Sequence, residues 1–298
     1  MPTPSAVGSP SPPHVPLTAI SALQHASDLF ECDPDPQLIY STAHSRVFKA
    51  ESRRFGQTVA VKLLMTETIR VRDPRMVERF AFRELLVTQS FDHPHLLEAL
   101  AVSVRGPTVI IVTPFCSGGN LFNLIQAKKK LTEPQAARVF RQLLEALNHL
   151  HERNVAHRDI KLENVLFTAS GDVKLIDFGL VIKMKDRNQR ARSPCGTHGY
   201  MAPSIKSCRP YNPFATDYYA LGMVLHTMLT GKFPAAVPIK TRQLFPSSDS
   251  FAVVSALLDT PDEVRPGYKW LLGTRWMKQY ASSWVFSNHP VVFFETCE

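Results

Sequence analysis

The densest run of chemistry-bearing side chains is His157-Arg158-Asp159-Ile160-Lys161-Leu162-Glu163-Asn164, with Asp177-Phe178-Gly179 shortly after it. Between them, Val165-Leu166-Phe167 and Val173-Lys174-Leu175-Ile176 are two short apolar runs. The polar, Gly-containing stretch Thr168-Ala169-Ser170-Gly171-Asp172 joins them, which predicts a β-hairpin. A hairpin sets the residue before its first strand beside the residue after its second. Those residues are Asn164 and Asp177. Two oxygen-bearing side chains at one end of a hairpin suit Mg²⁺, which takes a few protein oxygens and leaves room for water and phosphate. Asp159 sits on the loop feeding the same hairpin and is free to act on something other than a metal.

The octet, with Asp-Phe-Gly at this offset, resembles the catalytic core of the eukaryotic protein kinase family, serine/threonine type. The resemblance implies an α+β, bilobal fold over residues 38–277. A small β-rich lobe would span 38–115 and a larger, mainly α-helical lobe 116–277, with ATP between them. It implies transfer of the γ-phosphoryl of ATP to a Ser or Thr hydroxyl of a protein substrate. In that scheme Asp159 accepts or orients the hydroxyl proton and Lys161 balances charge on the moving phosphoryl. Asn164 and Asp177 hold Mg²⁺.

The elements that must position these groups follow along the chain. Val59-Ala60-Val61-Lys62 reads as a strand by its β-branched content, and period two puts Ala60 and Lys62 on one face. By resemblance Ala60 meets adenine and Lys62 the phosphates. Met76, Phe80 and Glu84 stand at helical spacing, so a carboxylate lies in line with an apolar stripe and calls for a partner. The family joins Glu84 to Lys62. Ile39 to Ala50 occupies the place of the family's Gly-rich loop, and Val47 and Ala50 match the end of that frame. The three glycine positions fall on Tyr40, Thr42 and Ser45, none of them Gly. The close backbone approach that Gly allows is therefore restricted. Thr108 to Val112 is a strand leading into Thr113-Pro114-Phe115-Cys116, which resembles the hinge between kinase lobes. Thr113 would be the gatekeeper; Pro114 would offer its carbonyl and Cys116 its N–H to adenine. Ile39, Val47 and Leu166 complete the implied nucleotide contacts. Asn120 stands where many relatives carry an acid.

Leu131 to Arg153 predicts a long helix, opened by a Thr132/Gln135 capping box with Pro134 in its first turn. Its buried face is Val139, Phe140, Leu143, Leu144, Leu147 and Leu150, and it delivers the His157 loop. Leu180 to Pro203 resembles the activation segment and is crowded with Lys and Arg. A phosphate on Ser193 would gain charge-assisted bonds from Arg158, although an exposed basic loop with an incidental Ser fits the residues equally. Thr197 resembles the residue that contacts Asp159 and Lys161. The family's Ala-Pro-Glu is Ala202-Pro203-Ser204, so Arg265 must find another acceptor or water, which predicts a looser lower lobe. Thr216 to Thr230 is apolar on nearly every side and ends at Gly231, predicting a buried helix. Its Asp217 is expected to bond the backbone around His157. Residues 232–250 read as irregular, and Ala252 to Leu258 and Trp270 to Met277 close the lobe.

The chain has 298 residues, 44% hydrophobic and 20% charged, enough for two lobes and a sizeable core. Net charge is +8, with most Lys and Arg dispersed. No nucleic-acid stripe, zinc spacing, internal repeat or run able to span a bilayer stands out. The five Cys lack paired or metal-ligand spacing and read as reduced thiols, which favours a cytoplasmic place, with a nuclear one equally open. No Lys or Arg precedes Arg46, so the basic start of a signal peptide is missing. Six Pro in the first sixteen residues predict a disordered tail over 1–27, and residues 278–298 a C-terminal tail. Pro13-His14-Val15-Pro16 fits the PxxP pattern of an SH3-type partner. A rival of another class is a regulatory pseudokinase acting by binding, suggested by the glycine-free loop and Ser204. The intact Lys62, Glu84, Asp159, Asn164 and Asp177 speak for an enzyme.

Overall fold

The computed structural model describes residues 17–33, 35–65, 83, 90–207, 209–233 and 242–281. The chain divides into two compact units, residues 1–74 with 100–112 and residues 75–99 with 113–298. Two units were expected from the sequence, but residues 75–99 and 113–115, assigned there to the small lobe, group with the second unit.

The first unit opens with a helix where disorder was expected. Helix α1, Leu17–Phe30, begins directly after Pro16. Ala22, Ala26 and Phe30, one helical turn apart, are buried against the sheet. Two of these are small, so the helix lies close to the strands. The first sixteen residues, including the PxxP pattern, lie outside the described residues. The sheet runs β1(Gln37–Ser41), β2(Ser45–Ser52), β3(Gln57–Met65), β4(Ala101–Arg105) and β5(Thr108–Pro114), in the order β1-β2-β3-β5-β4. Alternation along β2 buries Arg46, Phe48 and Ala50 on the face toward α1, with Val59, Val61 and Leu63 of β3. Ser52 Oγ donates to the Phe30 carbonyl at 2.6 Å, tying the helix end to β2.

The second unit is built on two long helices. α2 (Leu121–Lys128) is capped by Asn120, whose side chain accepts from Asn123 N–H at 2.8 Å. α3 (Glu133–Glu152) starts where the capping box requires, with Gln135 Oε1 accepting from Thr132 N–H at 3.1 Å, and buries the expected face. After β6 (Val155–Ala156) come the hairpin β7 (Val165–Phe167) and β8 (Val173–Leu175), then β9 (Ile182–Lys183) and the short α4 (Pro203–Lys206). α5 (Pro213–Thr230) is buried on nearly every face and is capped by Asn212. It ends at Gly231 in the left-handed region, where a Cβ would lie 2.2 Å from the Lys129 carbonyl oxygen, so only glycine fits. α6 (Ser248–Leu258), α7 (Tyr268–Gly273) and α8 (Arg275–Ala281) complete the unit. α6 begins inside the stretch expected to be irregular, because Ser247 caps it through Ser250 N–H. α8 likewise runs past the expected domain end at 277. Arg265 does not leave the lobe loose. Its side chain is 2% exposed and donates to Asp262 Oδ1 and to the carbonyls of Leu257, Ala215 and Thr260. Asp262, three residues away, serves where Ser204 cannot, and Ser204 Oγ is buried without a partner. Among the described residues no helix is long and apolar enough to cross a membrane, and Cys32, Cys116 and Cys195 are free.

Candidate active site

In the second unit the hairpin does what its sequence predicts. Val165 pairs with Leu175 and Phe167 with Val173. Ile176 N–H donates to the Asn164 carbonyl at 3.0 Å, which sets Asp177 next along the chain from Asn164's partner. The hairpin is held from three sides. From α3, Gln142 accepts from Val173 N–H at 2.8 Å, and Gln142 and Arg138 both donate to Asp172. From the segment before the first unit's last strands, His95 and Leu97 exchange backbone bonds with Leu175 at 2.9 and 3.0 Å. From the hinge, Gly118 and Gly119 exchange backbone bonds with Phe167, both at 2.9 Å. A Cβ on Gly118 would sit 2.7 Å from Phe167 Cβ, so glycine is needed there. That pairing brings the segment after Cys116 alongside Leu166, through the Asn120–Leu166 bridge.

The loop before the hairpin is fixed by Asp217 at the start of α5. Its carboxylate is 1% exposed and accepts from His157 N–H at 2.8 Å and Arg158 N–H at 2.7 Å. It also meets His151 Nε2 at 2.9 Å. Burial lowers the His151 pKa, and the Asp217 carboxylate acts against that shift. The hold matters because Arg158 has φ 67, a left-handed conformation unfavourable for a side chain of this size. His157 Nδ1 accepts from Asp159 N–H at 3.2 Å, so Nε2 is its donor to the Ile176 carbonyl at 3.2 Å. His157 thus links the loop to the residue before Asp177.

Asp159 lies at the centre and is 7% exposed. Oδ1 accepts from Thr197 Oγ1 at 2.7 Å; Oδ2 meets Lys161 Nζ at 2.8 Å and Asn164 Nδ2 at 3.2 Å. Lys161 also donates to Thr197 Oγ1 at 3.0 Å. Burial works against the charge on Lys161, but the bond to Asp159 and the charges of Asp159, Asp177 and Glu163 outweigh it and raise its pKa. Asn164 spends its amide N–H groups on Asp159, leaving its Oδ1 as an acceptor. Asp177 sits in the left-handed region with φ 67. A neutral amide oxygen and a carboxylate at one hairpin end form a hard-oxygen donor set that fits Mg²⁺. Arg158 Nε donates to the Leu180 carbonyl at 2.7 Å, while its buried NH1 has no hydrogen-bond partner among the described residues. Ser193 is exposed, with its carbonyl accepting from Tyr211 OH at 2.9 Å. Thr113 and Cys116 are buried and Pro114 half-buried at the end of β5. Burial pushes the Cys116 thiol up to about 11.

In the first unit, Val47 pairs with Lys62 and Lys49 with Ala60 across β2 and β3, so Val47, Ala60 and Lys62 share the face opposite α1. Ile39 is exposed on β1. Glu84 lies outside the described residues. The glycine-free turn closes on Thr42. Its hydroxyl accepts from His44 N–H at 3.3 Å and Ser45 N–H at 3.0 Å, and its own N–H donates to the Ser45 carbonyl at 2.8 Å. Every residue of that turn keeps a negative φ, so glycine is not demanded there.

Sequence reasoning missed the His151–Asp217 bond, although His151 continues the stripe of Leu143 and Leu147 one turn further and a polar residue there calls for a partner. It also missed Asp262 and the Thr42 turn, for which only the Asp-x-x-Arg and Thr-x-x-Ser spacings were available.

A profile described as "Protein kinase domain" matches residues 39–271. The human hormonally up-regulated neu tumor-associated kinase is 32% identical over 241 residues, covering 75% of this chain and 33% of that protein. CBL-interacting protein kinase 31 of Oryza sativa subsp. japonica is 33% identical over 192 residues, covering 64% of this chain and 42% of the relative. The human NUAK family SNF1-like kinase 1 is 30% identical over 191 residues, covering 64% and 28%. The chain thus spans about a third of the length of the curated relatives it matches. With the profile covering most of its length and the Asp159 cluster arranged on the hairpin, the chain belongs to the protein kinase family.

Proposed function

We propose that this chain is a serine/threonine protein kinase, transferring the γ-phosphoryl of ATP to a protein Ser or Thr hydroxyl. The observation that carries the reading is the Asp159 carboxylate with Thr197, Lys161 and Asn164 around it. Three donors hold it in one orientation, so it can align an acceptor hydroxyl and take up its proton. Lys161 beside it offers positive charge where negative charge moves from phosphate to acceptor oxygen. Asn164 Oδ1 and Asp177 would hold Mg²⁺, which when bound neutralises phosphate oxygens. By resemblance to the family, Val47, Ala60, Lys62, Thr113, Pro114, Cys116 and Leu166 would supply the nucleotide contacts. Phosphorylation of Ser193, with Arg158 nearby, is part of the same reading, as is a cytoplasmic or nuclear place of action.

The second reading, a regulatory protein with little phosphotransfer, is favoured by the Thr42 turn. Its hydroxyl takes the backbone N–H groups that would otherwise be offered to phosphate. One experiment separates the two: label transfer from γ-labelled Mg-ATP by the purified chain, with Asp159→Asn and Ser45→Gly in parallel. Label that is lost in Asp159→Asn, by ~10²-fold or more, supports the enzyme. Label retained in that variant refutes the role of Asp159. No label in the native chain or in Ser45→Gly, with nucleotide still bound, supports the regulatory reading.

A further inference from the structure

Residues 183–209 carry seven basic side chains and one acid, Asp186. Asp186 turns its carboxylate onto the N–H groups of Asn188 and Gln189 at 2.7 and 3.0 Å. Arg187 lies over the Phe214 ring at 4.5 Å. The remaining charges face solvent: Lys183, Lys185, Arg190, Arg192, Lys206 and Arg209 are all exposed. Among the described residues, Lys183, Lys185, Arg192 and Arg209 make no ion pair with a carboxylate.

This charge is not scattered along a free loop. Ala191 and Tyr211 exchange backbone bonds at 2.9 and 3.0 Å in an isolated antiparallel bridge. Arg190 and Arg192 flank the bridge on one strand and Arg209 stands two residues from it on the other. Tyr211 OH pins the Ser193 carbonyl at 2.9 Å. The chain then passes so close to the Arg158 carbonyl that a Cβ on Gly196 would lie 2.9 Å from it. It ends with Thr197 on Asp159 at 2.7 Å. A fixed path of a few residues therefore joins the basic ledge to the carboxylate that would receive the acceptor hydroxyl. At ~3.3 Å per extended residue, an acceptor segment lying on Asp159 reaches this ledge with its near neighbours.

We propose that Arg190, Arg192 and Arg209 form a docking ledge selecting acidic acceptor segments, in which Asp or Glu lies within a few residues of the Ser or Thr hydroxyl. The inference rests on the phosphotransfer reading above and names its substrate class. Each exposed ion pair contributes roughly 1.5- to 5-fold, so two or three give about a 10-fold preference, weakened by salt.

The test uses the full chain, treated with phosphatase so that no phosphate on Ser193 occupies the ledge. Three fluorescent peptides with one central Ser are compared, flanked by Asp and Glu, by Ala and Gly, or by Lys and Arg. Binding is read by anisotropy at low and high salt, and turnover as kcat/KM with Mg-ATP. The acidic peptide should be preferred by about 10-fold over the neutral one, and Arg192→Glu with Arg209→Glu should collapse that ratio in both readouts. Turnover without discrimination, or preference for the basic peptide, overturns the ledge and leaves phosphotransfer standing. Acid-selective binding without turnover supports the ledge and removes the phosphotransfer reading instead.

Discussion

Replacing Asp217 with alanine tests how the loop bearing Asp159 is held. The carboxylate is 1% exposed and receives three N–H groups, from His151, His157 and Arg158, at 2.7–2.9 Å. A hydrogen bond to a charged group contributes about 1.5–3 kcal/mol, but the three act together and their values do not add. Leaving a buried donor without its acceptor costs about 1–3 kcal/mol. Alanine improves helix propensity by roughly 0.5 kcal/mol, which works against the loss. Released from its N–H bond, Arg158 also loses what holds it in the left-handed region, where a residue with a Cβ is disfavoured by about 1–2 kcal/mol. With three donors left unsatisfied, a net loss of about 4 kcal/mol follows, and at roughly 2–4 °C per kcal/mol for a domain of this size the melting temperature falls by about 8–16 °C. The assay is thermal unfolding by circular dichroism at neutral pH, with a urea midpoint as a second measure. Asp217→Asn keeps the volume and one acceptor oxygen and should lose about half as much. An alanine variant melting within about 2 °C of the native chain would show that water replaces the carboxylate and that Asp217 does not hold the loop.

Two further predictions concern the same unit. Asp262→Ala leaves the Arg265 guanidinium, 2% exposed, with carbonyls but no counter-charge, and should cost about 3 kcal/mol by urea unfolding; an unchanged midpoint would mean that the carbonyls suffice. The His93 ring lies edge-on to His95 and tilted against His149, with centroids 5.6 and 4.8 Å away. Burial lowers all three pKa values, that of His93 to about 4. The unfolded chain therefore takes up protons near pH 6.5 that the folded one refuses, and stability is full above that pH and falls as pH drops from about 6.5 toward 4. Urea midpoints between pH 7.5 and 5 should decline, less steeply in His93→Gln; equal slopes would remove His93 from the account.

How much of this was legible beforehand depended on the range of the interactions involved. The hairpin, the long helix α3 with its Thr132–Gln135 start, and the buried helix ending at Gly231 are set by neighbours a few residues apart. Periodicity, capping and turn chemistry therefore announce them in the chain itself. The same holds for the alternation that puts Ala60 and Lys62 on one face, and for the hairpin register that bonds Ile176, the residue before Asp177, to Asn164.

What tertiary structure alone decided lay where two distant segments meet. Composition marked residues up to 27 as a tail, because Pro dominates the first sixteen positions. Yet Ala22, Ala26 and Phe30 gain a partner surface once Phe48, Val61 and Ile110 line the same face of a sheet. An apolar stripe that short has no reason to order until the sheet exists to bury it. Because Ser204 replaces an acid, Arg265 was expected to turn to another acceptor or to water and to leave the lobe looser. The fold returns Asp262 and three carbonyls to it, a solution invisible from the missing residue alone. The residue types around Asp159 were written in the sequence. The distances of 2.7–3.2 Å that join them to Thr197, Lys161 and Asn164 exist only because Asp217 of α5, bonded to His151 of α3, holds the loop from a distant part of the chain.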